Sequence, residues 1–158
     1  MMLARGLITA TVVVVMDQLS KAAILASFAG RFFGDRDTIT SFFNLVLTYN
    51  RGISFGLFND GGGVNALVFS FAAAAIIAVL LYWLSRAASP FLAVAIGLII
   101  GGAVGNVIDR LRFGAVVDFL DFHIGSLHWP AFNLADSAIC IGVAAMLVDG
   151  LVLRRQAQ

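Results

Sequence analysis

The chain has 158 residues, of which 61% are hydrophobic and only 12% charged, with a formal net charge of +1 and a mean hydropathy of +0.99. Soluble domains carry about 25% charged residues, so composition excludes an ordinary soluble protein, and the near-neutral balance gives no basis for a nucleic-acid partner. At about 20 apolar residues per membrane crossing, the length suits a single domain, 1–158, of four spans and their loops.

The first apolar segment runs from about Leu7 to Phe28 and is interrupted by Asp17, Gln18 and Lys21. Arg5 ahead of it imitates the n-region of a signal peptide. The segment is too long for one and lacks a small-residue cleavage site, so it is expected to stay in the mature protein. A polar stretch from Gly30 to Gly63 follows, within which Ile39 to Tyr49 alternates imperfectly and is rich in Phe, Thr and Tyr; this predicts short strands on the membrane surface. Val64 to Leu84 carries no charge and is the clearest span, closed by Tyr82 and Trp83 as an interfacial belt. Arg86 to Pro90 forms a tight turn, and Phe91 to Ile108 returns across the membrane. Arg110 to Pro130 is a second polar stretch, and Ala131 to Leu153 is the fourth span, ending in Arg154 and Arg155. Trp129 and Pro130 are expected to anchor and start that last helix. Cys140 lies inside its apolar run, cannot form an intrachain disulfide, and is expected to be a small buried hydrophobe.

Charge alone orients these spans poorly. Arg5, Arg86, Arg154 and Arg155 fall on one side, and Lys21, Arg31, Arg36, Arg51, Arg110 and Arg112 on or near the other, so a count of basic residues disfavours cytoplasmic termini. The aspartates reverse the balance, because all but Asp149 belong to the long-loop side.

A charged side chain at bilayer depth costs about 2.5 to 3.5 kcal/mol on insertion scales, which makes each one a functional candidate. Asp17 and Lys21 are four residues apart on one face of the first helix, suited to an ion pair or to a site. Gly97, Gly101 and Gly105 recur at intervals of four on the third helix and predict close helix packing without a chemical role. Asn106, Asp109 and Arg110 follow within one turn, where a guanidinium beside a carboxylate serves either structure or the binding of carboxylate or phosphate. Asp118 stands in the apolar run Val116-Val117-Asp118-Phe119. Asp136 stands one turn into the fourth helix, on the same face as Asn133. Both aspartates lie near one membrane surface. Two carboxylates brought together there would share a proton, so that one activates water while the other donates to a carbonyl or leaving amine. Spacing alone leaves two other readings open. The ionisable groups could form a proton relay, although they sit at one depth, or the chain could be a noncatalytic scaffold, which leaves the carboxylates without a purpose. His123 and His128 have no third ligand at useful spacing, so no metal is expected. Ser20 and Lys21 are adjacent and face different directions on a helix, which argues against a serine–lysine dyad.

Five segments in order, Asp17-Gln18-Leu19-Ser20-Lys21, Asn50-Arg51-Gly52-Ile53-Ser54-Phe55-Gly56, Gly101 to Arg110, Val116-Val117-Asp118-Phe119 and Phe132-Asn133-Leu134-Ala135-Asp136, resemble the signature of bacterial lipoprotein signal peptidases, also called signal peptidase II. The resemblance spans nearly the whole chain. It implies an all-α membrane fold of four transmembrane helices, with a small extracytoplasmic β-sheet cradle and a short loop helix, both to be supplied by Gly30 to Gly63. It implies an aspartic endopeptidase with Asp118 and Asp136 as its catalytic pair and no cofactor. Asn106, Arg110 and Asn133 match polar residues that line or order the site, Asp17, Lys21 and Asp109 match motif positions around it, and Asn50 matches the loop motif. The implied substrate is a prolipoprotein carrying a diacylglyceryl cysteine, cut on the amino side of that cysteine. The implied setting is the bacterial inner membrane and its lipid, with cytoplasmic termini, the site near the extracytoplasmic surface, and a monomer as the expected unit.

Overall fold

The structure, a computed structural model, describes residues 1–32, 34–52 and 62–153. Four helices carry the architecture: α1 (Met2–Ser27), α2 (Gly62–Ser85), α3 (Pro90–Phe113) and α4 (Leu134–Val148), the last continued by a π-helical turn at Asp149–Leu153. All four, the last together with its π-helical continuation to Leu151, are long and apolar enough to cross a membrane. The strands β1 (Arg36–Thr40), β2 (Phe43–Asn50), β3 (Val116–Ile124) and β4 (Leu127–His128) form one antiparallel sheet in that order.

The buried residues of α1, namely Gly6, Ala10, Val13, Asp17, Lys21 and Ile24, recur every three or four positions as one stripe. The exposed residues between Ile8 and Leu19 are largely apolar, including Val12, Val15 and Met16, as a surface facing hydrocarbon requires. That stripe packs on α3, the central helix. Side chains added at Gly97 or Gly101 of α3 would collide with Gly6, Thr9, Ala10 and Val13 of α1, and one at Gly102 would meet the Ala135 carbonyl of α4. The glycines therefore bring two backbones against α3 on two faces. Leu84, Ala93, Ile96, Ile99 and Ile100 fill the core towards the α2–α3 turn. At that turn Ser89 caps α3 by accepting the Leu92 N–H at 3.1 Å, with Pro90 as the first helical residue.

At the opposite end, α3 extends to Phe113, past the expected limit at Ile108, and stops at Gly114, whose φ of +69° is the left-handed conformation that glycine adopts without strain. The second polar stretch holds two strands. Val116 to Ile124 is an inner strand of the sheet, with Leu45 opposite Leu120, Thr48 opposite Asp118, and a bulge between Leu45 and Thr48. Among the described residues, Gly30 to Gly63 supplies β1, β2 and the first residues of α2; residues 53–61, left for the expected loop helix, lie outside the described residues.

The fourth helix starts at Leu134 and not at Ala131 or Pro130, because Phe132 is still paired to the sheet: it exchanges hydrogen bonds with Leu120, at 3.1 and 2.8 Å. Trp129 is strongly exposed beyond β4. Cys140 is also exposed, on the outer face of α4. An apolar run cannot distinguish core from lipid-facing surface when the surrounding solvent is itself apolar.

Candidate active site

The sheet end of the bundle gathers the polar residues. Asn133 is the N-cap of α4: its side-chain oxygen accepts the Asp136 N–H at 2.9 Å, while Asp136 Oδ2 accepts the Asn133 N–H at 3.2 Å. This reciprocal capping box fixes the Asp136 carboxylate against the helix N-terminus, where negative charge is favoured. The other carboxylate oxygen of Asp136 accepts from Asn106 Nδ2 of α3 at 2.8 Å.

Asp118 comes to the same place from β3. It is only 2% exposed. Asn133 Nδ2 donates to its Oδ1 at 2.7 Å, and Asn50 Nδ2, from the end of β2, donates to its Oδ2 at 3.0 Å. Asn50 is in turn held by the Gly52 N–H, which donates to its Oδ1 at 2.9 Å. Burial pushes the Asp118 carboxyl up to about 6, with the neighbouring Asp136 charge adding to the rise and the Asn50 and Asn133 hydrogen bonds opposing it. The two aspartates thus belong to one electrostatic unit, bridged by a single asparagine, an arrangement in which one carboxyl can act as acid while the other acts as base.

Behind the pair, Lys21 is buried, with 2% of its surface exposed. Its ammonium lies 2.8 Å from Asp17, 2.8 Å from Asp109 and 3.2 Å from Asn106 Oδ1. Gly105 leaves the space that the Asp17 carboxylate occupies, so this glycine shapes the polar cluster besides serving helix packing. Asp109 is directed to Lys21 and to the Val117 N–H at 3.1 Å, not to Arg110. Arg110 instead reaches the Asn106 carbonyl at 3.4 Å and places its guanidinium 5.6 Å from the centre of the Phe69 ring. It lies within the electrostatic reach of Asp136 and Asp118.

All nine residues expected at the site, Asp17, Lys21, Asn50, Asn106, Asp109, Arg110, Asp118, Asn133 and Asp136, therefore fall into one connected region. Gln18 belongs to it too, donating to Asp109 at 3.0 Å and to Asp17 at 3.2 Å. Its position beside Asp17 was visible in the sequence, its direction was not. Farther along the sheet, Asp121 is buried and accepts from Asn44 Nδ2 at 2.8 Å, with His128 Nδ1 also 2.8 Å away. The cross-strand pairing of Asn44 with Asp121 creates that group, and only the register reveals it. His123 stacks on His128, with ring centroids 4.8 Å apart.

Comparison with known proteins agrees with this geometry. The chain is 47% identical over 150 residues to a lipoprotein signal peptidase of Paraburkholderia phymatum, covering 94% of this chain and 89% of that protein. It is 49% identical over 141 residues to a lipoprotein signal peptidase of Burkholderia cenocepacia, covering 89% and 83%. Two solved bacterial membrane enzyme structures share the fold: one has a TM-score of 0.80 at 32% identity over 93% of this chain and 92% of its own, and the other 0.76 at 33% over 92% and 87%. Residues 9–152 match the description of peptidase family A8, signal peptidase (SPase) II, and the chain belongs to that family.

Proposed function

We propose that this single-domain membrane peptidase hydrolyses the signal peptide from prolipoproteins with Asp118 and Asp136 as its catalytic pair. The observation that carries the assignment is the bridge formed by Asn133, which donates to Asp118 and shares a capping box with Asp136. A water held between the two carboxylates loses a proton to one of them as it attacks the scissile carbonyl, while the other, protonated, gives its proton to the carbonyl oxygen; as the tetrahedral intermediate collapses, the first passes the water's proton to the leaving amine and the second takes its proton back from the hydroxyl, which restores the pair. Asn50, Asn106 and Asn133 keep the carboxylates aimed, and Lys21, Asp17 and Asp109 order the ground behind them. Arg110, close to the pair but not salt-bridged among the described residues, serves the substrate's polar groups.

The substrate is a prolipoprotein with a diacylglyceryl cysteine, cut on the amino side of that cysteine. The apolar surfaces of the helices beneath the site suit acyl chains from such a substrate and from surrounding membrane lipid. The protein works as a monomer in the bacterial inner membrane, with both termini cytoplasmic and the sheet outside. Incubating the purified protein in detergent with a diacylglyceryl-modified prolipoprotein should yield a product whose N-terminal residue is the lipidated cysteine, read by mass spectrometry. An unchanged substrate mass would contradict the function. Reporters placed at Arg86 and at Gly125 should mark the cytoplasmic and outer sides respectively; the reverse result would move the site to the other face.

A further inference from the structure

The polar cluster behind the aspartates has a symmetry in its connections. Asp17 Oδ1 accepts the N–H of Ala135 at 3.1 Å, and Asp109 Oδ2 accepts the N–H of Val117 at 3.1 Å. Ala135 immediately precedes Asp136, and Val117 immediately precedes Asp118. Each buried carboxylate therefore anchors the backbone one residue before a member of the pair. One ammonium joins the anchors, since Lys21 lies 2.8 Å from both carboxylates. An ammonium has three N–H donors, and the third faces Asn106 Oδ1 at 3.2 Å. Because Lys21 can only donate, it obliges Asn106 to present its oxygen inward, leaving the Asn106 amide N–H₂ directed at Asp136.

We infer that Lys21 is a positioning residue that sets the separation and aim of Asp118 and Asp136 by tying together Asp17, Asp109 and Asn106, without touching the substrate. The inference rests on the proposed catalytic pair. It assigns Lys21 a kinetic role, whereas an ordinary buried ion pair would serve stability alone. The cluster lies on α1 and α3, so it holds β3 and α4 in place from two elements that carry neither aspartate.

The test uses the full chain in detergent with a diacylglyceryl-modified prolipoprotein, and measures kcat, KM and melting temperature. Lys21→Met alone leaves buried carboxylates without their cation and is expected to unfold readily. The informative variant is the triple Asp17→Asn, Lys21→Met, Asp109→Asn, which removes the charges together. Its melting temperature should stay near the parent's and its KM within about threefold, while kcat falls about 100-fold, the scale expected for a misplacement of about 1 Å. A folded triple variant whose kcat stays within about threefold of the parent would overturn the inference, as would a loss confined to KM. Should the triple variant not fold, Gly105→Ala provides the second reading, because the added methyl intrudes on the Asp17 carboxylate: kcat should drop with KM held, and an unchanged kcat overturns the inference. The catalytic pair itself is tested in the same assay by Asp118→Asn, so its failure is distinguishable from failure of the Lys21 role.

Discussion

Asn133 Nδ2 lies 2.7 Å from Asp118 Oδ1, so the residue that caps α4 also grips the carboxylate delivered by β3. One side chain thereby ends a helix and registers a strand against it. Asn133→Asp separates these two tasks, because aspartate is an equally good N-cap but has no N–H₂ to donate. The new oxygen faces Asp118, the Val117 carbonyl and Asn106 Oδ1, so the variant should melt lower than the parent while keeping its helix cap. A hydrogen bond to a charged group contributes about 1.5 to 3 kcal/mol, so cleavage should fall by about tenfold or more. Cleavage at the parental rate would show that the contact to Asp118 has no catalytic consequence.

Asp118 also makes stability depend on pH in a defined direction. Its carboxyl is raised to about 6 in the fold, chiefly by burial, from an ordinary value of 3.8. A raised carboxyl holds its proton more tightly when folded, so its favourable contribution is fully present below the unfolded value and is lost as pH rises through about 6. Asparagine mimics the protonated acid at all pH values. Asp118→Asn should therefore melt higher than the parent at pH 7 to 8, with the difference closing as pH falls to about 4. A melting difference that does not vary with pH would contradict the burial account of Asp118.

Arg110→Lys keeps the charge but loses the planar fork that reaches the Asn106 carbonyl and faces Phe69. Its activity should fall below that of the parent despite the conserved charge, with the larger part of the loss in KM if Arg110 contacts substrate. Steady-state kinetics at fixed pH check this. Equal kcat and KM would reduce Arg110 to a general positive charge.

Gly101 lies where an added Cβ would come within 2.7 Å of the Ala10 carbonyl oxygen of α1. Gly101→Leu should therefore lower yield and melting temperature, since overpacking costs about 1 to 3 kcal/mol and a backbone neighbour yields little. The signature is scarce protein whose folded fraction still cleaves. A well-folded, inactive Gly101→Leu would instead place this glycine among the residues that shape the site.

Much of this arrangement was legible in the chain because charge is rare in it. Asp17, Lys21, Asn106, Asp109 and Asp136 stood out against apolar spans, and helical spacing placed them near one end. The reading failed where polarity and structure diverge. Asp118 and Asp121 interrupt the apolar run within Val116–Ile124, and they are satisfied by asparagines that the sequence does not place near them: Asn44 and Asn50 from across the sheet and Asn133 from the cap of α4. The expected partnership of Asp109 with Arg110 also gave way. Adjacent residues on a helix face different directions, and Lys21 reached Asp109 from another helix. Cys140 was misplaced for the reason that burial and lipid exposure have the same composition.

The most direct measurement is cleavage of a diacylglyceryl-modified prolipoprotein by Asp118→Asn, Asp136→Asn and the double variant. Asparagine preserves shape while removing the ability to ionise or supply a proton. Each single variant should lose cleavage while retaining yield and substrate binding, and the double variant should be hardly worse than either, because groups that act as one unit do not contribute additively. Substantial activity in either single variant, together with its loss in Asp17→Asn or Asp109→Asn, would contradict the assignment of the pair.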